Sequence, residues 1–524
     1  MTQLNRREFL WLGTLVAGSA ALSGCGVVGR ELVQAELPTA LPTALPSTLK
    51  SPVPEPDSAA PIRPWSAIQT PLSEGAAFRR LLNRAGFGPR PGALEAAMEM
   101  GWQAYIESQL APDRIDDHAS DLILRGIDLY HREAGDLANQ EPGDMVLALN
   151  AATINRALTS KRQLHEALVH FWSDHFNIYL LKNQYQVALK IIDDRDMIRP
   201  NALGTFPELL AASAASPAML VYLDNIRNLK GNPNENYARE IMELHTLGVN
   251  GGYSQQDVQE AARALSGWTV GLRGRQQGQV FLRAEEHDAG AKTILGHHFP
   301  AGQWERDIHQ LVDLLAHHPS TAQFIAAKLV RRLVADEPPE PLVAEVAAIF
   351  EESNGDIRQV VRHILLSPAF LEAPSKLKRP FHFMLSALRA LNADVRRVRG
   401  LLGWLDALGQ PLFRWPAPNG YPDVAPAWAS NLLPRWNYAL ALAHDEIPGV
   451  VVPWEQIMAA GDAANGPGTL NLFAGLLLGE PLDEDTMSLF TGYIGSGNSN
   501  AQDVQQKTRD AIALILSSPA FQWM

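Results

Sequence analysis

The chain has 524 residues, with 44 Lys and Arg against 57 Asp and Glu, and a single cysteine. A formal charge of −13 leaves no surplus of cations to neutralise phosphates, which excludes nucleic acid as an expected partner. One cysteine excludes a disulfide framework. Hydrophobic residues at 46% and charged residues at 19% match ordinary globular usage, which excludes a disordered, collagenous or multi-spanning chain.

Residues 1–24 have the order of an export signal. Arg6-Arg7-Glu8-Phe9-Leu10 supplies a twin-arginine head, and the apolar stretch Trp11 to Leu22 follows it. That stretch is shorter than the roughly 20 residues a spanning helix needs. Leu22-Ser23-Gly24-Cys25 matches the lipobox of bacterial lipoproteins, so Cys25 is the expected lipidation site and new N-terminus. The mature protein is therefore expected to be anchored to a membrane by lipid on its extracytoplasmic side, periplasmic or at the cell surface.

Residues 25–65 are Pro-rich and repetitive, with Leu37-Pro38-Thr39-Ala40 recurring as Leu41-Pro42-Thr43-Ala44 and Leu45-Pro46-Ser47-Thr48. Proline at this density blocks helix and ladder bonding, so a disordered linker is predicted, reaching on the order of 100 Å if extended. From residue 76 the helical period dominates. Phe78, Leu81, Leu82 and Ala85 share one face, and Gly86 closes the segment. Ser254 with Asp257 predicts a capped helix start whose apolar face is Val258, Ala261, Ala262 and Leu265. Strand signals are confined to 279–282 and 292–295, which could pair as one short hairpin around 285–290. Leu366-Ser367-Pro368-Ala369-Phe370 recurs as Ser517-Ser518-Pro519-Ala520-Phe521, read as a shared helix terminus. The stretch 409–436 is dense in Pro, Gly and Trp, an irregular connection pinned by aromatics. The fold class expected is mostly α: one large multi-helix domain over 66–524, at most a short hairpin, and two lobes if the 409–436 connection divides it.

Three polar clusters are candidates for chemistry. In the segment 164–179, Glu166, His170 and Asp174 fall four residues apart on one stripe, which on a helix places an imidazole between two carboxylates. That setting would raise the imidazole pKa, as a general base or metal ligand requires, and His175 lies on the adjacent apolar face. In the second cluster, Glu235, Arg239 and Glu243 share a stripe with Asn236 and Glu240 beside it. The oxygens of Asp224, Asn225, Asn232 and Asn234 precede it, so a hard divalent cation such as Ca2+ or Mg2+ could be held there. The third cluster is His287-Asp288 at the tip of the expected hairpin. Candidate catalytic residues are His170, Asp174, His175, Asn236, Arg239, Glu240 and Glu243. Candidate metal ligands are Glu166, His170, Glu240, Glu243, His287 and Asp288. Convergence of these segments on one cleft, with Glu240 or Glu243 within hydrogen-bonding reach of His170 or His175, is the expected signature of a site.

Several of these stretches together resemble the bacterial family known as domain of unknown function 1800. They are Leu82-Asn83-Arg84-Ala85-Gly86-Phe87-Gly88, His170-Phe171-Trp172-Ser173-Asp174-His175-Phe176, Asn234-Glu235-Asn236-Tyr237-Ala238-Arg239-Glu240, His287-Asp288 with Lys292-Thr293-Ile294-Leu295-Gly296, and Gly420-Tyr421-Pro422. The resemblance covers roughly residues 76 to 522. It implies a mostly helical exported protein, often encoded beside another exported family, domain of unknown function 1501, and so suggests a partner from that family; it implies no reaction, cofactor or catalytic residue. Two functions remain in view: an envelope enzyme with an enclosed His/Glu/Asn/Arg site, metal-dependent if a cation binds, or a tethered binding or assembly factor whose polar clusters are structural.

Overall fold

The computed structural model describes residues 73–460, 466–495 and 501–524. The signal, Cys25 and the Pro-rich stretch lie outside the described residues. The described residues form one compact unit, and it is mostly α. Among its helices, those that build the sites discussed below are, in chain order, α1 (Glu74–Arg84), α2 (Pro142–Thr159), α3 (Gln163–His175), α4 (Glu235–Glu243), α5 (Gln255–Ala264), α6 (Pro319–Leu333), α7 (Ile357–Leu366), α8 (Pro380–Ala390) and α9 (Ala501–Ser517).

Local signals fix several of these boundaries. Ser73 caps α1, accepting a hydrogen bond from the Ala76 N–H, and Phe78, Leu81 and Leu82 are buried on one side of the helix. α5 opens on the expected capping box of Ser254 and Asp257, with Val258, Ala261 and Ala262 buried, so both orphan N-terminal donors are satisfied at once. Two large apolar clusters fill the unit. One gathers Trp172, Phe176, Phe206, Tyr237 and Leu329; the other gathers Phe381, Leu388, Tyr438, Ile512 and Phe521. α3 gives Leu164, Leu168 and Trp172 to the first and Ala167 to the second, so its polar residues are enclosed where the cores meet.

The strand expectation is corrected. Three two-stranded antiparallel sheets are present among the described residues. β1 (Trp268–Val270) pairs with β2 (Val280–Leu282), β3 (Lys292–Ile294) with β4 (His297–Phe299), and β5 (Asp394–Val395) with β6 (Val450–Val451). The two expected strands exist but pair with neighbours other than each other. β3 is turned back on β4 by Leu295 and Gly296, both at positive φ, the backbone that a tight two-residue hairpin loop demands. Leu295 holds this uncommon conformation while its N–H donates to Asp257 Oδ1 at 2.7 Å.

Candidate active site: a basic crevice at the end of α3

The sequence places Glu166, His170 and Asp174 on one stripe of α3, but their surroundings separate them. Glu166 accepts two hydrogen bonds from Arg199 Nη1, at 2.8 and 2.9 Å. Although burial opposes it, Arg199 then holds the Glu166 carboxyl below the ordinary carboxylate range. One turn along, the His170 ring packs against Phe381 with centroids 4.8 Å apart. The expected rise in its pKa is reversed: burial, then Arg379 and Arg332, push it well below the usual imidazole value. Asp174 accepts a hydrogen bond from Arg379 Nη2 at 2.5 Å, and burial still raises its carboxyl above the ordinary range.

At the C-terminal turn of α3, the surroundings of His175 define its tautomer. Nε2 lies 3.0 Å from the His245 carbonyl, which can only accept, so the proton sits on Nε2. Nδ1 is left to accept from Lys328 Nζ at 2.8 Å. Burial, with Lys328 second, keeps this imidazole neutral.

Three segments distant in sequence close around this end of α3. α6 contributes Lys328 and Arg332, and the stretch leading into α8 contributes Lys376, Lys378 and Arg379. α8 itself contributes His382, and the 409–436 connection brings Tyr421 and Asp423. Arg332 Nη1 stands 3.5 Å from Asp423 Oδ1, and Lys376 pairs with Asp336. Burial opposes ionisation of Asp423, but Arg332, Lys376 and Arg379 together hold its carboxyl below the ordinary range. The connection is strapped down by backbone acceptors: Asn177 Nδ2 donates to the carbonyls of Trp415 and Ala417 at 3.0 and 2.7 Å, and the Tyr222 hydroxyl donates to Pro416 at 2.7 Å. Gly420 must be glycine there, because its φ is +72° and a Cβ would fall 2.0 Å from the Asp174 carbonyl oxygen.

Four basic side chains, Lys328, Arg332, Lys376 and Arg379, thus face three carboxylates, Asp174, Asp336 and Asp423, in a chain whose overall charge is −13, while the Lys378 ammonium lies over the Phe521 ring. The cluster is not sealed: His170 keeps 8% of its surface exposed, and the side chains of Asp174 and Asp423 keep 16% and 18%. Arg379 Nε and both ring nitrogens of His382 are buried without a hydrogen-bond partner among the described residues. Unmet donors and acceptors of this kind carry a desolvation cost that a bound anion or water would offset. The chemistry available is recognition of an anionic group beside a neutral imidazole.

Other candidates lie elsewhere. α4 is a surface helix on its polar side: Asn236 is exposed, and Arg239 pairs with Glu235 at 2.9 Å with both side chains about a third exposed. Glu243 accepts from the Tyr253 hydroxyl at 3.2 Å, and no hydrogen bond joins Glu240 or Glu243 to His170 or His175. Burial, then the neighbouring Glu243, raises the Glu240 carboxyl. Two of the asparagines ahead of α4 are backbone staples, Asn225 donating to the carbonyls of Leu265 and Trp268 and Asn228 to that of Ala262, and Asn232 is exposed. His287 is buried between the Ser266 carbonyl, 2.8 Å from Nδ1, and Asp307, 3.1 Å from Nε2. Asp288 is held by Arg263 at 2.8 and 3.1 Å. Glu166, His170, Glu240, Glu243, His287 and Asp288 therefore do not form one ligand shell, and among the described residues no three His, Cys, Asp or Glu side chains are grouped to hold a cation.

The residues that sequence reasoning missed are Lys328, Arg332, Lys376, Arg379, His382 and Asp423. One signal was available: Lys376, Lys378 and Arg379 crowd three cations into four positions just ahead of an apolar helix. Among known proteins, the family model described as "Protein of unknown function (DUF1800)" matches residues 80–523. No curated protein and no solved structure matches the chain.

Proposed function

Because the chain belongs to the DUF1800 family, whose description assigns no reaction, its activity must be sought in its own side chains, and we propose that it is an exported, lipid-tethered envelope enzyme. In this reading it holds an anionic substrate in the crevice at the end of α3 and uses His170 as proton acceptor. One observation carries it: a neutral imidazole sits beside Arg379 and Arg332, groups brought from separate parts of the chain. A neutral imidazole keeps a lone pair for the proton of a water or hydroxyl; burial, Arg379 and Arg332 make it a weak base, and the nearby Asp423 carboxylate offsets part of that loss. The flanking guanidinium groups would stabilise charge developing on the attacked group. A second reading is a tethered binding factor that docks a co-exported partner, such as a member of domain of unknown function 1501. It is favoured by the pairing of Arg379 with Asp174 and Arg332 with Asp423, which structural ion-pair networks also show.

Chromogenic phosphate, sulfate and carboxylate esters offered to the mature protein test the two. The enzyme reading expects turnover of one class. His170→Gln should cut kcat on the order of 100-fold with KM little changed, and Arg379→Gln should raise KM. If no ester binds or turns over, and both variants still capture the partner as the native chain does, the binding-factor reading is correct.

A further inference from the structure

We infer that the cavity beside the first turn of α3 is a second anion-binding site, for a small hydroxylated molecule carrying a phosphate or carboxylate. The cavity measures about 320 Å³, at the small end of ligand pockets. Its lining is polar, with five arginines and the acids Asp113, Asp117, Asp121 and Glu166. What matters is which of these charges the fold already uses. Arg199 is engaged by Glu166. Arg195 chelates Asp196 at 2.7 and 2.8 Å and donates to the carbonyls of Tyr130 and Arg132. Arg162 donates to the Ile115 carbonyl, and Asp117 accepts from the Ser160 hydroxyl and the Lys161 N–H at 2.6 and 2.8 Å.

Arg156, projecting from α2, is different. Its guanidinium lies over the Tyr130 ring at 4.7 Å, and the ring is itself fixed by its hydroxyl donating to Asp194 at 2.7 Å. Arg156 Nη1 and Arg199 Nε, from two residues that line the cavity, are buried without a hydrogen-bond partner among the described residues. A guanidinium stacked on a fixed aromatic ring and lacking an acceptor is oriented in advance for a planar or tetrahedral oxyanion. Arg358, exposed at the same cavity, also has no carboxylate within ion-pair distance among the described residues. Asp113 is exposed and Asp121 half-buried, and neither carboxylate has a side-chain partner among the described residues. They are placed to accept hydrogen bonds from hydroxyl groups on the part of a ligand that stays nearer solvent.

Titration of the mature protein with inorganic phosphate, glycerol phosphate and glucuronate, followed by calorimetry and thermal melting, tests the site. Binding of at least one probe with a raised melting temperature is expected, stronger for the hydroxylated probes than for inorganic phosphate. Arg156→Gln should weaken it by about tenfold or more, and Arg358→Gln, at an exposed position, should weaken it severalfold without lowering the melting temperature of the free protein. Arg379→Gln, in the crevice at the other end of α3, should leave it unchanged, which separates this site from the proposed active site. Absence of binding by the folded native protein at millimolar probe, or binding that neither Arg156→Gln nor Arg358→Gln weakens, overturns the inference. So does binding lost only in Arg379→Gln.

Discussion

Lys328 carries the clearest pH signature at the scale of single residues. Burial lowers its ammonium to about 8, with Asp174 opposing the shift, while the unfolded chain titrates it near 10.5. Two consequences follow with opposite signs. Charge in the crevice falls as pH rises through about 8, so anion affinity should fall over the same range, and Lys328→Met should abolish that limb of a binding-versus-pH curve. Between about 8 and 10.5 the unfolded state holds more protons on this group than the folded one, so its contribution to stability rises with pH. Lys328→Met should flatten the rise in a chemical denaturation series. His170 behaves differently, since burial with Arg379 and Arg332 has already neutralised it. Its requirement in turnover should therefore give a rate that stays level well below the usual imidazole range. The stripe that names Glu166, His170 and Asp174 was legible in the sequence because four-residue spacing is a property of one helix. The reversal of the His170 shift was not, because Arg332 and Arg379 lie more than 150 positions away.

Two copies of one short motif separate cap from sequence at the scale of elements. Ser367-Pro368-Ala369-Phe370 and Ser518-Pro519-Ala520-Phe521 both end a helix, α7 and α9 respectively, and begin a one-turn helix with Pro at its first position. The backbone at the two serines is nearly the same, φ −71° in each, and both hydroxyls donate to the carbonyl three residues back. Only Ser367 also accepts from the N–H three residues on, that of Phe370; Ser518 makes no such cap. Ser367→Ala should therefore cost on the order of 1 kcal/mol more than Ser518→Ala in equilibrium denaturation, and equal costs would mean that the cap contributes nothing. Helix starts and stops of this kind were legible because they are chemistry within four residues. Strand partners were not: the hairpin turn at Leu295-Gly296 lacks the Asn-Gly or Asp-Gly pair that announces such loops, and the N–H of its Leu, at positive φ, donates to Asp257 on α5, a residue remote in sequence. The 409–436 connection was legible as irregular from its prolines and tryptophans. Its destination on the end of α3 is set by Asn177 and Tyr222, which nothing in the connection announces.

Across the described residues the last residues of the chain are stitched to α1 around the crevice. Arg84, at the end of α1, donates to the carbonyls of Val334, Pro374 and Met524. The final residues then run antiparallel to the stretch that carries Lys376, Lys378 and Arg379, through Lys376 N–H to Met524 at 2.8 Å and Lys378 N–H to Gln522 at 2.9 Å. A unit closed in this way within residues 66–524 should not need the Pro-rich stretch for its stability, since so proline-dense a segment buries little apolar area. A chain beginning at Ser66 should melt with the same midpoint and cooperativity as the mature protein, and a loss of several degrees would show that the stretch packs on the unit. Location should behave independently of folding. If Cys25 bears the lipid, attachment rests on acyl chains alone, each buried methylene contributing about 0.8 kcal/mol. Cys25→Ser should then leave the melt and any crevice binding unchanged while moving the protein from the membrane to the soluble fraction. A Ser variant that stays with membranes through a carbonate wash would remove the lipoprotein assignment and leave the crevice chemistry standing, because the groups that form the crevice all lie beyond residue 169.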